Sequence, residues 1–351
     1  AEAPVTIDAT FTTPVHIHAQ MEPHASLAYW QDGRVHIHCS SQLLESAQKC
    51  VANTLQIPAS KVRIVSRYIG GGFGGKLPIY GDVLLAAMAS RQLNRPVKTA
   101  LTRQQMFHVT THRSDTVQRL RLGARSDGVL TAISHESWSH AARFDDFYEP
   151  AAQATRTLYA APHRQTRHRS VALDLPVSDS TRAPGEAVGL LAIECAMDEL
   201  AHQLSLDPIE LRLRNEPKED PEKHIPYSSR HLVACMQEGA RRFGWDNRQP
   251  QPGQVRDGRW LVGMGMAAAT RGNLLRPSKC MVRLDSKGVL TAKMSMTDIG
   301  TGSYTVLSQI AGEMLGLPVS KVSMQLGDRA FPETAGSGGT IGAASSDPAL
   351  F

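Results

Sequence analysis

The chain has 351 residues with 41% hydrophobic and 20% charged content, which is typical of a globular protein large enough for two domains. No apolar run is long enough to predict a membrane span. The net charge of +5 could suggest a nucleic-acid partner, but aromatic residues make up only 5%. The densest basic run, His163–Arg169, has no interleaved aromatics, so we expect a solvated face or a docking edge there and no nucleic acid.

The cysteines and the N-terminus bear on cofactor and compartment. The five cysteines lie far apart without a C-x-x-C pair. This argues against an iron–sulfur cluster or zinc ribbon made by this chain alone and favours buried free thiols. The first residues lack the basic and apolar regions of a signal peptide. We expect the cytoplasm, with the bacterial periplasm as the alternative.

The N-terminal region contains a histidine-rich segment. His16, His18 and Glu22 form H-x-H-x3-E, the core pattern of cupin metal sites, where two imidazoles and a carboxylate meet a metal. The neighbouring glycines and the later histidine strand of a compact barrel are missing. Satisfied structural histidines in a packed interface are therefore the favoured interpretation. A cupin-like metal-binding protein remains the alternative function.

An internal repeat follows. Leu55–Val62 recurs as Leu315–Val322, 260 residues later, and apolar positions with helical spacing precede both segments at the same offset. Ser41 and Thr301 fall at the predicted helix N-caps. Alternating apolar residues after each segment predict a strand. Each copy therefore predicts a helix, a turn and a strand.

This period is too long for a solenoid. It predicts two similar α+β domains with a ligand between their equivalent loops. We place the first domain at residues 1–245 and the second at residues 255–351.

In the first copy, the strand leads into Gly70–Lys76, where five of seven positions are glycine. Such a loop brings backbone N–H groups close to an anionic ligand, because no Cβ stands in the way. A P-loop is disfavoured because Leu77 replaces the hydroxyl residue that meets Mg²⁺ and Pro78 prevents an immediate helix. A dinucleotide fingerprint is disfavoured because the next predicted strand, Arg95–Leu101, ends without an acid.

Between the copies, a polar turn at Ser178–Glu186 precedes a strong helix. The helix has Leu190, Ile193, Met197 and Leu200 on one face. A second short helix is predicted to begin at Asp207–Pro208, with Asp as N-cap and Pro in the first turn.

In the second copy, two stretches are rich in N–H and hydroxyl donors, Asp298–Ser303 before the helix and Gly336–Ser346 after the strand. Together with Gly70–Lys76 they make three donor-rich loops at helix starts and strand ends. This arrangement suits a large anionic cofactor with phosphates.

Four segments resemble one family. Gln20–His24 resembles an MEPH segment, Ser40–Gln42 resembles an S-x-Q site, and Gly70–Lys76 matches GGGFGGK. Thr181–Glu186 resembles an R-[AG]-[PF]-G turn. Together they resemble the molybdenum hydroxylases, the xanthine dehydrogenase and aldehyde oxidoreductase family. The resemblance implies an α+β fold with two related molybdopterin-binding domains and the cofactor between them.

The resemblance also implies residue roles. Gln42 would hydrogen-bond the oxo group of the molybdenum, Phe73 would line the metal and wall the substrate, and the Arg182 segment would approach the metal ligands through its backbone. Molybdenum would be held through the pterin, with no direct protein ligand. The implied cofactor-binding residues are Gln42, Gly71, Gly72, Phe73, Gly74, Arg182, Gly300, Thr301, Gly302, Gly338, Gly339, Thr340, Ala343 and Ser345.

The chain departs from the family pattern at three places. Thr301 stands where the family often has Gln, so a side-chain contact to the pterin is lost. Leu77 is apolar where xanthine enzymes carry an acid, which favours aldehydes over purines. The catalytic glutamate of the family lies in a G-x-G-E turn beyond this sequence, and the domain that usually precedes Ala1 is also absent. We therefore expect a truncated second domain and no turnover by this polypeptide alone.

The implied cofactor is molybdopterin, often a cytosine dinucleotide in bacteria. The chain has neither iron–sulfur cysteine spacing nor an FAD fingerprint. Electrons would therefore leave through a [2Fe–2S] subunit and an FAD subunit that assemble with the remainder of the molybdenum subunit.

Overall fold

The computed structural model describes residues 3–350, which form two compact units. Unit 1 comprises the chain up to Val15 together with Ser114–Leu175 and Ala183–Arg271. Unit 2 comprises His16–Arg113, Pro176–Arg182 and the chain from Gly272 onward. Among these residues, no helix is both long and apolar enough to cross a bilayer.

The described chain contains strands and helices in mixed order. The strands are β1 Val5–Thr13, β2 His16–Ile17, β3 Ala25–Gln31, β4 Arg34–Cys39, β5 Val62–Val65, β6 Val97–Ala100, β7 His112–Arg113, β8 Thr116–Ala124, β9 Leu130–Ala142, β10 His163–Leu173, β11 Val255–Asp257, β12 Trp260–Val262, β13 Met281–Leu284, β14 Leu290–Lys293 and β15 Val322–Gln325. The helices are α1 Leu44–Leu55, α2 Gly81–Leu93, α3 Arg103–Val109, α4 Thr155–Leu158, α5 Glu186–Leu204, α6 Pro208–Arg214, α7 Leu232–Phe243, α8 Ser303–Met314 and α9 Gly342–Ser346.

Unit 1 is built on a four-stranded sheet in the order β1-β8-β9-β10. Helix α5 buries Ile193, Met197 and Leu200 in the main hydrophobic core of this unit, so the predicted apolar face is confirmed. Helix α6 also begins as predicted, because the Asp207 carboxylate accepts hydrogen bonds from two first-turn N–H groups and Pro208 opens the helix.

The basic run lies on β10, an edge strand that pairs only with β9 in the described sheet. His163, Arg167 and Arg169 are exposed. The Arg169 guanidinium lies 5.3 Å from the ring centroid of Trp138 on β9, a favourable cation–π geometry. The run therefore forms a solvated strand at the edge of the sheet.

Unit 2 contains both copies of the repeat. We define copy 1 as Ala25–Lys76 and copy 2 as Met281–Ser346, so that each copy includes the loop that follows its last strand. In copy 1, β3 and β4 form an antiparallel hairpin, α1 follows, and β5 pairs in parallel with β4. In copy 2, β13, β14, α8 and β15 repeat this order and these strand directions. The predicted repeat is confirmed.

The predicted N-caps are wrong. Helix α1 begins after Leu43 and α8 after Gly302, in neither case with a side-chain cap. The Ser41 N–H instead donates to Ser66 Oγ at 2.9 Å. Near α8, the Asp298 carboxylate accepts from the N–H of Tyr304 in the first turn of the helix, and Thr301 Oγ1 lies 3.0 Å from Ser303 Oγ. Other hydrogen bonds thus replace the two predicted side-chain caps.

The two copies join directly within unit 2. The Ser66 N–H donates to the Gly327 carbonyl at 2.7 Å, and the Arg329 N–H donates to the Ile64 carbonyl at 2.9 Å. Arg63 on β5 holds the carboxylate of Asp328 with two hydrogen bonds, of 3.1 and 2.7 Å. The equivalent strand ends of the two copies therefore lie side by side.

The cysteines are only partly buried, contrary to expectation. All five are free thiols. Cys39 is buried, and burial raises its pKa to about 12. Cys195 and Cys235 are exposed because they lie on helix faces that point away from the cores.

Candidate functional site

The segments that carry the sequence motifs converge in unit 2. The loop Gly70–Lys76 follows β5 and ends before α2, which begins at Gly81. A helix does not start inside the loop, so neither the P-loop nor the dinucleotide fingerprint applies. We call Gly70–Lys76 the cradle loop.

The middle of the cradle loop presents three successive backbone donors. The N–H groups of Gly71, Gly72 and Phe73 have no acceptor within residues 3–350. Gly72 is a buried residue. Because buried N–H groups in native proteins are nearly always paired, the Gly72 donor, with the donors of half-buried Gly71 and exposed Phe73 on either side, indicates a place for an electron-rich ligand.

Phe73 adopts a left-handed conformation with φ +57°. This conformation is rare for a bulky residue and marks a backbone that its surroundings hold in place. The Phe73 side chain is 42% exposed, and its ring lies 3.0 Å from the position that a Cβ on Gly71 would take. An aromatic wall thus stands beside the three donors.

The space beside most glycines of the cradle loop is occupied by atoms of neighbouring protein segments. A Cβ on Gly72 would lie 2.5 Å from Gln42 Oε1, and one on Gly74 would lie 2.0 Å from the carbonyl oxygen of Ser180. A Cβ on Gly75 would lie 2.8 Å from the ring of His18. The expectation that the glycines clear space for a ligand is therefore incomplete, because most of them allow the loop to pack tightly on neighbouring segments.

Gln42 connects the cradle loop to copy 2. Its Oε1 accepts hydrogen bonds from the N–H groups of Gly74 and Lys76 at 3.1 and 3.3 Å. Its Nε2 donates to the Ser337 carbonyl at 2.6 Å, and the Ser337 N–H returns a bond to the Gln42 carbonyl at 3.0 Å. Since a primary amide has two N–H donors, one more can face a ligand.

Glu22 holds the two ends of the cradle loop. Its Oε2 accepts from Ser40 Oγ and from the Gly70 N–H, each at 2.8 Å, and forms an ion pair with Lys76 Nζ. Burial alone would raise the pKa of Glu22, but the hydrogen bonds from Lys76, Gly70 and Ser40 outweigh it and keep this pKa below its usual value. In the sequence, Glu22 stands only as a candidate metal ligand of the cupin alternative. Its hydrogen bonds to both ends of the cradle loop were missed by sequence reasoning.

The Arg182 segment lies against the cradle loop through its backbone. The Arg182 N–H donates to the Phe73 carbonyl at 2.9 Å. The buried Arg113 guanidinium donates to the carbonyls of Thr181 and Arg182 at 3.0 and 2.5 Å. The Arg182 side chain itself is exposed. Arg113 was missed by sequence reasoning, because nothing local marks it as a partner of residues 68 positions later.

In the pre-helix loop of copy 2, Asp298–Ser303, some N–H donors are bonded to a side chain of the loop itself. The Asp298 carboxylate accepts from the N–H groups of Gly300, Thr301 and Tyr304 at 2.8, 3.0 and 3.2 Å. Two of the donors expected to face a cofactor are therefore used internally. The Gly302 N–H has no acceptor in the part of the chain that the structure describes.

The second loop of copy 2 leaves more donors open. The N–H groups of Gly338, Gly339, Thr340 and Ala343 have no acceptor among the described residues. Thr340 has a positive φ of 64°. Ser345 Oγ, in contrast, accepts from the Arg276 N–H at 3.0 Å.

Leu77 lies between the cradle loop and copy 2. Its Cδ2 is 3.1 Å from the position of a Cβ on Gly338. The residue is half-buried. This contact gives Leu77 a packing role, and its contact with substrate stays a prediction.

The histidine-rich segment does not assemble a metal site. His16 is exposed on β2, and His18 contacts the carbonyls of Thr111 and Ser180 at 3.1 Å each. Burial lowers the pKa of His18 and, with a smaller contribution from Lys76, lowers that of His24 to about 4. No group of three or more metal-ligating side chains converges anywhere in residues 3–350. The cupin alternative is therefore not favoured.

Comparison with protein families gives two matches. A family described as "Molybdopterin cofactor-binding domain" matches residues 1–216. A second family with the same description matches residues 238–350.

Curated relatives and a solved structure agree with these matches. The chain is 49% identical to the aldehyde oxidoreductase molybdenum-binding subunit PaoC of Escherichia coli, over 99% of this chain and 48% of that protein. It is 29% identical to a putative xanthine dehydrogenase molybdenum-binding subunit of Escherichia coli, over 90% of this chain and 44% of that protein. The chain therefore spans about half the length of the curated relatives it matches. The fold matches the aldehyde oxidoreductase of Desulfovibrio desulfuricans with a TM-score of 0.87 and 21% identity, over 99% of this chain and 40% of that one.

Proposed function

This chain belongs to the molybdopterin cofactor-binding domain family of the molybdenum hydroxylases, and from that premise we propose that it holds the cofactor of an enzyme that hydroxylates aldehydes with water. The observation that carries the proposal is the row of unpaired N–H donors at Gly71, Gly72 and Phe73. The 49% identity to an aldehyde oxidoreductase subunit supports the choice of substrate.

The open donors suit an oxygen-rich, anionic cofactor. Gly71, Gly72, Phe73 and the second N–H of Gln42 would hold the end that carries the metal. Gly302 and the Gly338–Ala343 region would hold the pterin and its phosphates, since groups of backbone N–H donors bind such anions. Because the donors of Gly74, Gly300 and Thr301 are engaged internally, we assign these residues to shaping the site. The Ser345 hydroxyl accepts from the Arg276 N–H and keeps its own O–H donor for the cofactor.

When bound, the molybdenum cofactor would supply the two-electron oxidation of the substrate carbon. The residues of this chain would bind and orient. The Phe73 ring would wall the substrate, and Arg182 would keep the Phe73 carbonyl in place through its backbone N–H. The apolar Leu77 offers no partner to the polar edge of a purine, which supports an aldehyde as substrate.

Glu22 is a poor general base, because three donors hold its carboxylate and its pKa is lowered. We assign the base to a glutamate in the part of the full-length subunit that this chain does not span.

We further propose the cytosine dinucleotide form of the cofactor and electron transfer to [2Fe–2S] and FAD subunits. The relative's description as a molybdenum-binding subunit supports a multi-subunit assembly.

We keep residues 1–245 and 255–351 as the two cofactor-binding domains. We also keep the cytoplasm as compartment, with the periplasm as alternative. Cell fractionation of a tagged full-length subunit decides between the two compartments.

Metal analysis of the purified complex tests the proposal. The full-length subunit, expressed with its partners in a molybdenum-replete host, should contain equimolar molybdenum and releasable pterin and should oxidise aldehydes in preference to xanthine. Stoichiometric iron, manganese or zinc without pterin would refute the cofactor assignment. A preference for xanthine would refute the aldehyde assignment alone.

A further inference from the structure

One carboxylate oxygen anchors both ends of the cradle loop. Glu22 Oε2 binds the N–H of Gly70 at the start of the loop and the Nζ of Lys76 at its end. The Glu22 N–H also donates to the Gly70 carbonyl at 3.1 Å. The three open donors lie between these two anchors.

The anchor is shielded from water on the side of the lysine. The Lys76 side chain is 0% exposed, whereas that of Glu22 is 38% exposed. The Lys76 backbone is held as well, because its carbonyl accepts from the Gln42 N–H at 2.8 Å and its N–H donates to Gln42 Oε1. Lys76 therefore ties the cradle loop to Glu22 through its side chain and to Gln42 through its backbone.

We propose that the Glu22–Lys76 ion pair is a positioning device that fixes the cradle loop with the N–H groups of Gly71, Gly72 and Phe73 directed at the cofactor. This inference rests on the proposed function. Neither residue contacts the cofactor in this proposal. Because the Lys76 charge is paired with Glu22, the cradle loop offers an anion its oriented N–H dipoles instead of a free positive charge. The geometry of the loop then determines how firmly the cofactor is retained.

A purely structural ion pair would behave differently. Removing one partner of a buried pair leaves an uncompensated charge, whereas replacing both with neutral groups of similar size is often harmless to stability. The double variant Glu22→Gln/Lys76→Met removes both charges and keeps most of the side-chain volume. It therefore separates charge compensation from anchoring.

The test compares cofactor retention with stability in the full-length subunit within its complex. We measure the rate of fluorescent pterin release during mild warming, the molybdenum content and the unfolding temperature. The double variant should unfold within about 3 °C of the wild type and release pterin about tenfold faster. Glu216→Gln/Arg230→Met is the matched control, because Glu216 and Arg230 form a largely buried ion pair in unit 1 and this variant also removes both charges. This control should leave pterin release unchanged.

Each outcome decides the inference. Wild-type release from a stable double variant would overturn it. If the double variant does not fold, Glu22→Asp decides, because this change keeps the charge and shortens the reach by one methylene. Faster pterin release in Glu22→Asp supports positioning, and unchanged release overturns it. A wild-type subunit without pterin would instead refute the proposed function, so the two failures are distinguishable.

Discussion

Copy 1 and copy 2 share one fold, but the cradle loop of copy 1 and the pre-helix loop of copy 2 use their glycines differently. In copy 1, the glycines of the cradle loop lie against protein atoms, and a Cβ on Gly72 or Gly74 would collide with them. In copy 2, a Cβ on Gly300 or Gly302 would meet no atom within 4 Å, although both residues have positive φ. Glycine thus permits close packing in the cradle loop and only an unusual backbone conformation in the pre-helix loop of copy 2.

The difference teaches how one repeat can supply two kinds of loop. The loop of copy 1 is fixed from outside by Glu22 and Gln42. The pre-helix loop of copy 2 is fixed from within by Asp298. A loop fixed from outside should be more sensitive to substitution.

The largest effect is expected from a matched pair of glycine substitutions. Gly74 and Gly300 have φ of +102° and +97°, so alanine is similarly strained at both positions. Only Gly74→Ala also places a Cβ 2.0 Å from the Ser180 carbonyl oxygen. Gly74→Ala should destabilise unit 2 by about 3–5 kcal/mol and Gly300→Ala by about 1–2 kcal/mol, as measured by denaturant unfolding. Equal losses would contradict the comparison.

Acid should weaken the segment that supports the cradle loop. Burial lowers the pKa of His24 to about 4, below the ordinary value of 6.5, and its Nε2 lies 3.0 Å from Gln20 Nε2. The unfolded chain therefore takes up this proton first. Stability is fully present above pH 6.5 and falls as the pH drops to about 4, by roughly 3 kcal/mol.

Unfolding free energies at several pH values, compared with those of His24→Gln, check this prediction. His135 in unit 1, whose pKa burial lowers to about 3, titrates in both proteins, so the difference isolates His24. An identical pH dependence in the two proteins would argue against the prediction.

A smaller effect is expected at the joint between the copies. Asp328→Asn weakens the pairing with Arg63, but the neighbouring backbone hydrogen bonds remain. Because Arg63 is 43% exposed, we expect a loss of only about 1–2 kcal/mol. Asp8→Asn in unit 1 removes a carboxylate with similar bonds to Arg119, but the Asp8 side chain is half-exposed whereas that of Asp328 is buried, so it should leave the unfolding temperature unchanged. A larger loss at Asp8 than at Asp328 would contradict this ranking.

The smallest effect on stability is expected at Phe73. Phe73→Gly relieves the left-handed strain and should stabilise the protein by at most about 1 kcal/mol. It should also raise KM for aromatic aldehydes more than for small aliphatic ones in the complete enzyme, because a ring face is lost. Thermal unfolding and steady-state kinetics measure the two effects. Unchanged kinetics would place Phe73 outside the substrate pocket.

Local sequence patterns predicted much of this architecture. They did not predict the contacts between residues that lie far apart in the sequence. Helix α5, the repeat and the cradle loop follow from periodicity and glycine spacing, which a single sequence displays. The N-cap predictions failed because each helix begins one or two residues later than the capping residues indicate, and Asp298 rather than Thr301 accepts from the first-turn N–H of Tyr304. The Glu22–Lys76 pair joins residues 54 positions apart, and no local signal indicates such a partner.

Unit 2 is discontinuous, which sets the order in which its loops can meet during protein synthesis. The ribosome makes the segment that contains Gln42 before the larger part of unit 1, which begins at Ser114, and it makes Ser337 only after unit 1 is complete. Gln42, which binds the cradle loop, therefore lacks its contact with Ser337 while well over a hundred residues are synthesised and fold. Closing this long chain excursion is slow in comparison with local folding. We therefore expect cofactor insertion to follow translation, and a nascent chain stalled before copy 2 should not retain the cofactor.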